Sequence, residues 1–275
     1  MGSKISIINH INTIRGYLKK NKIEDSIEDS YSLTGPENPE IFDIYISSST
    51  GMEFVMIPAG EFNMGSSPEE KDRSDCESPV HRVTIQNPFY MGKSPVTQKQ
   101  WKKIMGTSPS NFKDEARPVE LVSWEEVQEF IKKLNLIENT AKYRLPTEAE
   151  WEYSCRAGTQ SRYFFGNDES KLGDYAWYVD NTGRKTHPVG KKKPNPWGLY
   201  DMHGNVWEWV QDRWHENYNG SPSNGSAWEH GNCSARVSRG GSWYCDSDTC
   251  RSAARFSREP ENRFANLGFR LVREL

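Results

Sequence analysis

From Ile5 to Lys22 the apolar residues Ile5, Ile8, Ile11, Ile14 and Leu18 recur at steps of three and four. That spacing puts them on one face of a helix, so a short accessory helix is predicted there. Asp25 to Pro39 is acidic and carries Gly35-Pro36 and Pro39, the composition of a linker. The chain therefore divides into an N-terminal helical extension and linker, 1–45, and a main domain, 46–275. Within the domain, three stretches pair a hydroxyl residue with Glu or Gln three positions later, the reciprocal hydrogen-bonding pattern of a helix start. They are Thr97 with Gln100, Ser123 with Glu126, and Thr147 with Glu150. The second runs on through Val127, Phe130, Ile131 and Leu134, an apolar stripe at helical spacing. Elsewhere short apolar runs alternate with long segments rich in Gly, Asn, Asp and Pro, as in Asn181 to Trp197 and Asn217 to Asn232. The pattern predicts an α+β, loop-rich fold with two or three helices on a small, mostly antiparallel sheet. No internal repeat and no βαβ alternation is present, which argues against a doubly wound fold.

Composition sharpens this picture. The hydrophobic fraction of the 275 residues is only 35%, yet ten Trp, twelve Tyr and eleven Phe supply large buried areas per residue. A polar chain of this kind must fold around bulky anchors. Lys and Arg number 35 against 38 Asp and Glu, a net charge of −3, so no basic excess favours nucleic acid as a partner. No run approaches the roughly 18 apolar residues of a membrane span. Met1 to Tyr31 shows no secretory signal pattern, so the cytoplasm is the default expectation. The five cysteines, Cys76, Cys155, Cys233, Cys245 and Cys250, are odd in number and sparse, and reduced thiols are the default.

The chain lacks HExxH, GxSxG and P-loop signatures, so zinc-protease, α/β-hydrolase and NTPase chemistry is without its key residues. The six histidines are scattered, none four residues from another, and read as surface or loop residues. The run Gly198 to Trp209 offers Asp201, Asn205 and Glu208 around the turn-forming Gly204. These hard oxygen ligands suit Ca²⁺ without matching an EF-hand. On spacing alone the plainer reading is preferred: Trp207 and Trp209 in the core, with the carboxylates capping turns. Cys245 and Cys250, five apart behind Arg239-Gly240-Gly241-Ser242-Trp243, suit a disulfide, a two-thiolate Cu(I) site, a redox pair or two unrelated cysteines.

Gly51 to Phe62, Tyr143-Arg144-Leu145-Pro146-Thr147 through Glu152, Gly198-Leu199-Tyr200-Asp201, Arg239 to Trp243 and Leu267-Gly268-Phe269-Arg270 together resemble the formylglycine-generating-enzyme, or sulfatase-modifying factor, domain. The resemblance covers about 46–275 in the family's order and implies a variant of the C-type lectin fold. In the family's enzymes, two cysteines after Gly-Gly-Ser bind Cu(I) and, with O₂, oxidise a cysteine within a Cys-x-Pro-x-Arg-like segment to formylglycine. Cys245 and Cys250 have that separation and Ser242 matches the serine. The stretch that follows is shorter than in the enzymes, as in non-catalytic relatives.

One such group is the variable proteins of diversity-generating retroelements, whose C-terminal segment is rewritten at adenine-containing codons. Tyr244, Cys245, Asp246, Asp248, Thr249, Phe256, Arg258, Phe264, Ala265 and Asn266 are all residue types that this rewriting permits. Gly240, Gly241, Ser242, Trp243, Cys250, Arg251, Arg255, Gly268 and Phe269 between them look like scaffold. The resemblance also implies a structural Ca²⁺ held by Asp201, the main chain of Gly204 and Val206, and Glu208. The expectation is a binding protein for a protein or other macromolecular ligand. The copper-dependent oxidase, with Cys245, Cys250 and Ser242 as its site, is the alternative. Trp101, Trp124, Trp151, Trp207, Trp209 and Trp243 are expected to be scaffold, and Tyr244, Phe256 and Phe264 display, with ordinary core an equal reading for the two phenylalanines.

Overall fold

The computed structural model describes residues 43–275. The helix predicted at Ile5 to Lys22 and the linker from Asp25 to Pro39 lie outside the described residues. The first sheet has the order β1-β2-β5-β11-β6. Its strands are β1 (Ile44–Ile46), β2 (Glu53–Ile57), β5 (Phe89–Gly92), β6 (Tyr143–Arg144) and β11 (Val272–Arg273). The chain's last strand thus returns to lie between β5 and β6, antiparallel to both. The second sheet, β10-β7-β8-β9, comprises β7 (Trp207–Arg213), β8 (Arg236–Arg239), β9 (Arg255–Arg258) and β10 (Leu267–Phe269). Its β10–β7 pair is parallel and the other two are antiparallel. A hairpin of β3 (Gly60–Met64) and β4 (His81–Ile85) completes the strands among the described residues.

Each predicted helix start forms. Thr97, Ser123 and Thr147 accept from the N3 amides of α1 (Gln98–Met105), α2 (Trp124–Ile137) and α3 (Glu148–Arg156), and the N3 side chains reach back. Two amide donors per helix that would otherwise lack partners are thereby satisfied. A single-turn α4 (Leu172–Tyr175) follows. The α2 stripe, Val127, Phe130, Ile131 and Leu134, is buried as its spacing requires. Phe130 stacks on Trp101 at 5.4 Å and meets Phe269 edge-on at the same distance. Of the six expected scaffold tryptophans, Trp101, Trp151, Trp207 and Trp209 are buried, and Trp124 and Trp243 are half-buried.

A polar composition reaches the interior through ion pairs. Every residue of α3 is buried, including Glu148, Glu152 and Arg156. Glu152 accepts from Arg156 Nε at 2.8 Å and is paired with Arg239. Arg255 grips Glu148 through two 2.8 Å bonds, and Arg251 grips Glu77 at 2.6 and 2.8 Å. Buried charges are tolerated where each is paired and hydrogen-bonded in this way. The arginines of the sequence motifs therefore serve as internal struts. They tie α3 and the loop before β4 to the strands that frame the C-terminal segment.

No helix among the described residues is long and apolar enough to cross a membrane. All five cysteines are free thiols.

Candidate functional site

The C-terminal face begins where β8 ends. Gly240 and Gly241 have φ of 100° and 69°, a region costly for side chains. A Cβ on Gly241 would stand 2.6 Å from Cys250 Sγ, so the turn is closed to larger residues. This turn seats Ser242 in the interior, where its hydroxyl lies 3.2 Å from Cys245 Sγ and accepts from Asn266 Nδ2 at 3.2 Å. The half-buried Cys245 also receives the Trp207 indole N–H on its sulfur at 3.2 Å. Cys250 ends a short 3₁₀ turn, Ser247–Cys250, and is buried against Tyr163, Leu172 and Ala176, in a cluster that Cys245 also lines. Burial pushes the Cys250 thiol well above its usual range, and the neighbouring Cys245 adds to the effect. The structure thus brings Ser242, Cys245 and Cys250 together.

The predicted display residues form a face around the edges of Trp207 and Trp243. Tyr244, Phe256 and Phe264 are 66%, 51% and 41% exposed, which excludes the core reading for the two phenylalanines. Phe256 lies 6.0 Å from the Trp207 ring, and Tyr244 packs edge-on to Trp243 at 5.3 Å. The Arg258 guanidinium stands 4.9 Å from the Phe256 ring and 5.0 Å from that of Phe264. Ala265 and Asn266 contribute main-chain carbonyls, which accept from the Trp243 indole at 2.9 Å and the Trp207 amide at 2.8 Å. Asp246, Asp248 and Thr249 sit on the adjoining 3₁₀ turn, with the Thr249 hydroxyl donating to the Asp246 carbonyl at 3.2 Å.

The Gly198 to Trp209 segment packs inside the molecule. Asp201 adopts φ 58°, is buried, and accepts from the Gly190 amide at 2.8 Å and from Asn205 Nδ2 at 3.3 Å. Burial pushes its carboxyl up to about 6. Gly204 allows close approach, since a Cβ there would meet the Trp177 carbonyl at 2.3 Å; its own carbonyl accepts from the Val206 amide at 2.9 Å. Glu208 is fully buried. It accepts from Arg270 at 2.6 and 2.8 Å and from the Trp151 indole at 2.8 Å. Among the described residues no three or more His, Cys, Asp or Glu side chains converge as a metal centre. Of the side chains named for Ca²⁺, Asp201 accepts two hydrogen bonds and the Glu208 carboxylate already accepts three.

Residues 46–275 match the Sulfatase-modifying factor enzyme 1-like domain. The chain belongs to this sulfatase-modifying factor family. Among curated relatives, the formylglycine-generating enzyme of Mus musculus is 35% identical over 79% of this chain and 74% of its own. Chaperone protein LppX of Paenibacillus barcinonensis is 32% identical over 80% of this chain and 89% of its own. Among solved structures, PvdO from Pseudomonas aeruginosa superposes with a TM-score of 0.79 at 33% identity, covering 87% of this chain and all of PvdO. Treponema denticola variable protein 1 superposes with a TM-score of 0.76 at 31% identity, covering 86% and 99%. The fold is therefore the α+β C-type lectin-like fold of the sulfatase-modifying factor family, and its likenesses run to enzymes and to a variable protein alike.

His203 lies in a turn, as the loop reading has it, but is fully buried rather than on the surface, its Nε2 accepting the Phe164 amide at 3.2 Å; burial drives its pKa down to about 3. Its stacking partner Phe164, at 4.9 Å, lies 39 positions away, so the local sequence carries no sign of this packing.

Proposed function

We propose that this chain is a ligand-binding protein of the variable type, presenting its C-terminal segment to a protein or other macromolecular ligand. The observation that carries this reading is the set of exposed aromatics on the C-terminal segment, Phe256 and Phe264 flanking Arg258 and Tyr244 packed on the edge of Trp243. Rigid aromatic anchors with polar neighbours are the residues that dominate adaptable binding surfaces. The division of labour beneath them supports it as well. The Gly-Gly turn and the Arg251 and Arg255 ion pairs hold the segment from below, so side chains on its outer face are free to change without disturbing the core.

A specific observation favours a second reading, the copper-dependent oxidase: Ser242, Cys245 and Cys250 converge. In it Cys245 and Cys250 would hold Cu(I), soft thiolates being its preferred donors, and Ser242 would shape the oxygen pocket. The metal would supply the redox chemistry with O₂. In either reading a Ca²⁺ ion would serve structurally, held by Asp201, the carbonyls of Gly204 and Val206, and Glu208.

Incubating the protein with Cu(I), O₂ and a Cys-x-Pro-x-Arg peptide separates the two readings. The expected result is no formylglycine. Turnover that disappears in Cys245→Ala overturns the binding-protein reading. The coding sequence offers an independent check, in which a nearby near-identical repeat with adenines at the codons for Tyr244 to Asn266 is expected.

A further inference from the structure

Arg258 is set apart from the buried arginines around it. Arg156, Arg239, Arg251, Arg255 and Arg270 each hold a carboxylate, whereas Arg258 makes no ion pair with any described residue. Its Nε donates to the buried Ser238 hydroxyl at 3.2 Å, which fixes the plane of the guanidinium. The two terminal amino groups have no acceptor among the described residues. Phe256 and Phe264 flank the group at 4.9 and 5.0 Å, with Trp207 at 5.8 Å. Burial in this aromatic setting lowers its pKa, a sign that hydration of the charge is partly lost without a counter-ion to replace it.

We propose that Arg258 is the anchor of the display face and receives a carboxylate from an acidic protein segment, with an apolar side chain beside that carboxylate resting on Phe256 and Phe264. The inference rests on the binding-protein reading and names the chemistry of its ligand. A guanidinium offers two parallel donors to a carboxylate, and such charge-assisted pairs strengthen where water is excluded. The surrounding charge selects a monoanion. The nearby Arg263 and Arg236 are engaged by Glu126 and Glu229, and Asp246 and Asp248 lie on the adjoining turn, which disfavours a phosphate dianion.

The test uses hydrocinnamate, its neutral amide and phenyl phosphate as probes. Binding is read by NMR on the Arg258 Nε–H and Trp207 indole N–H signals of the intact protein. Hydrocinnamate is expected to shift both signals saturably at millimolar concentration, with the amide at least about tenfold weaker. Arg258→Gln should lose the acid's advantage while keeping the thermal midpoint of the parent, and Arg258→Lys should keep only part of it. Equal binding of acid and amide, or an undiminished preference in Arg258→Gln, overturns the inference and leaves the apolar face standing. Tighter binding of phenyl phosphate than of hydrocinnamate overturns the choice of a carboxylate. Copper-dependent turnover of the Cys-x-Pro-x-Arg peptide would instead remove the binding-protein reading, whichever way the probes behave.

Discussion

Asp212 shows how a single buried group sets a pH dependence. It is 4% exposed and accepts the amides of Glu148 and Trp228, both at 2.7 Å. Burial, then repulsion from Glu148, pushes its carboxyl up to about 7. A carboxyl with a raised folded-state pKa binds its proton more tightly when folded than when unfolded. Its stabilising effect is therefore complete below about pH 4 and is lost as the pH rises to about 7. The stability of the parent relative to Asp212→Asn should fall over that window, by an amount on the order of 2–4 kcal/mol, and stay constant above it. Denaturant unfolding of both proteins from pH 4 to 8 measures this, and a difference independent of pH would refute the assignment. Nothing at position 212 announced this in the sequence, because the groups that enclose the carboxyl come from α3 and from a loop 16 residues on. Glu208 teaches the same lesson. On spacing alone it reads as a carboxylate capping a turn, whereas its main partner, Arg270, lies 62 residues away.

At the scale of elements, legibility followed the range of the interactions. The three capping boxes are complete within four residues, and Thr97, Ser123 and Thr147 start helices where their sequence says they should. The parallel β7–β10 pair and the two-residue β11 were not legible, since three-residue or shorter strands carry too little alternation to declare themselves. The loop from Asp201 to Val206 falls between these cases. It enters β7 through positive-φ residues, Asp201 and Asn205, with few strand bonds of its own. A Ca²⁺ ion there would cross-link the loop to β7. Calcium at about 100 times its Kd would add about 2.7 kcal/mol to stability. That corresponds to a thermal midpoint higher by about 5–10 °C. Scanning calorimetry with 5 mM calcium and with EDTA should show the rise in the parent and none in Asp201→Ala. An unchanged midpoint in the parent would leave the ion without support.

The whole molecule separates two populations of aromatic residues, and the separation has a measurable consequence. Trp209 is fully buried with its indole donating to the Val122 carbonyl at 3.1 Å, and Trp101 and Trp151 are enclosed in the same way. Truncating such a residue removes its transfer energy and leaves a cavity, so Trp209→Ala should cost about 3–5 kcal/mol. Tyr244, Phe256 and Phe264 are bulky as well but lie at the surface, each with two-fifths or more of its area in water. Folding gains little from them, and surface changes away from special backbone positions cost about 0.5 kcal/mol or less each. Replacing all three with Ser should therefore lower stability by less than about 1.5 kcal/mol. Urea unfolding of the triple variant beside Trp209→Ala tests the division directly. Were the triple variant as unstable as Trp209→Ala, these aromatics would be part of the core, and a face free to vary would no longer follow from their exposure. A small cost would mean that selection for folding alone does not hold them in place, which leaves these positions free to vary as contact residues.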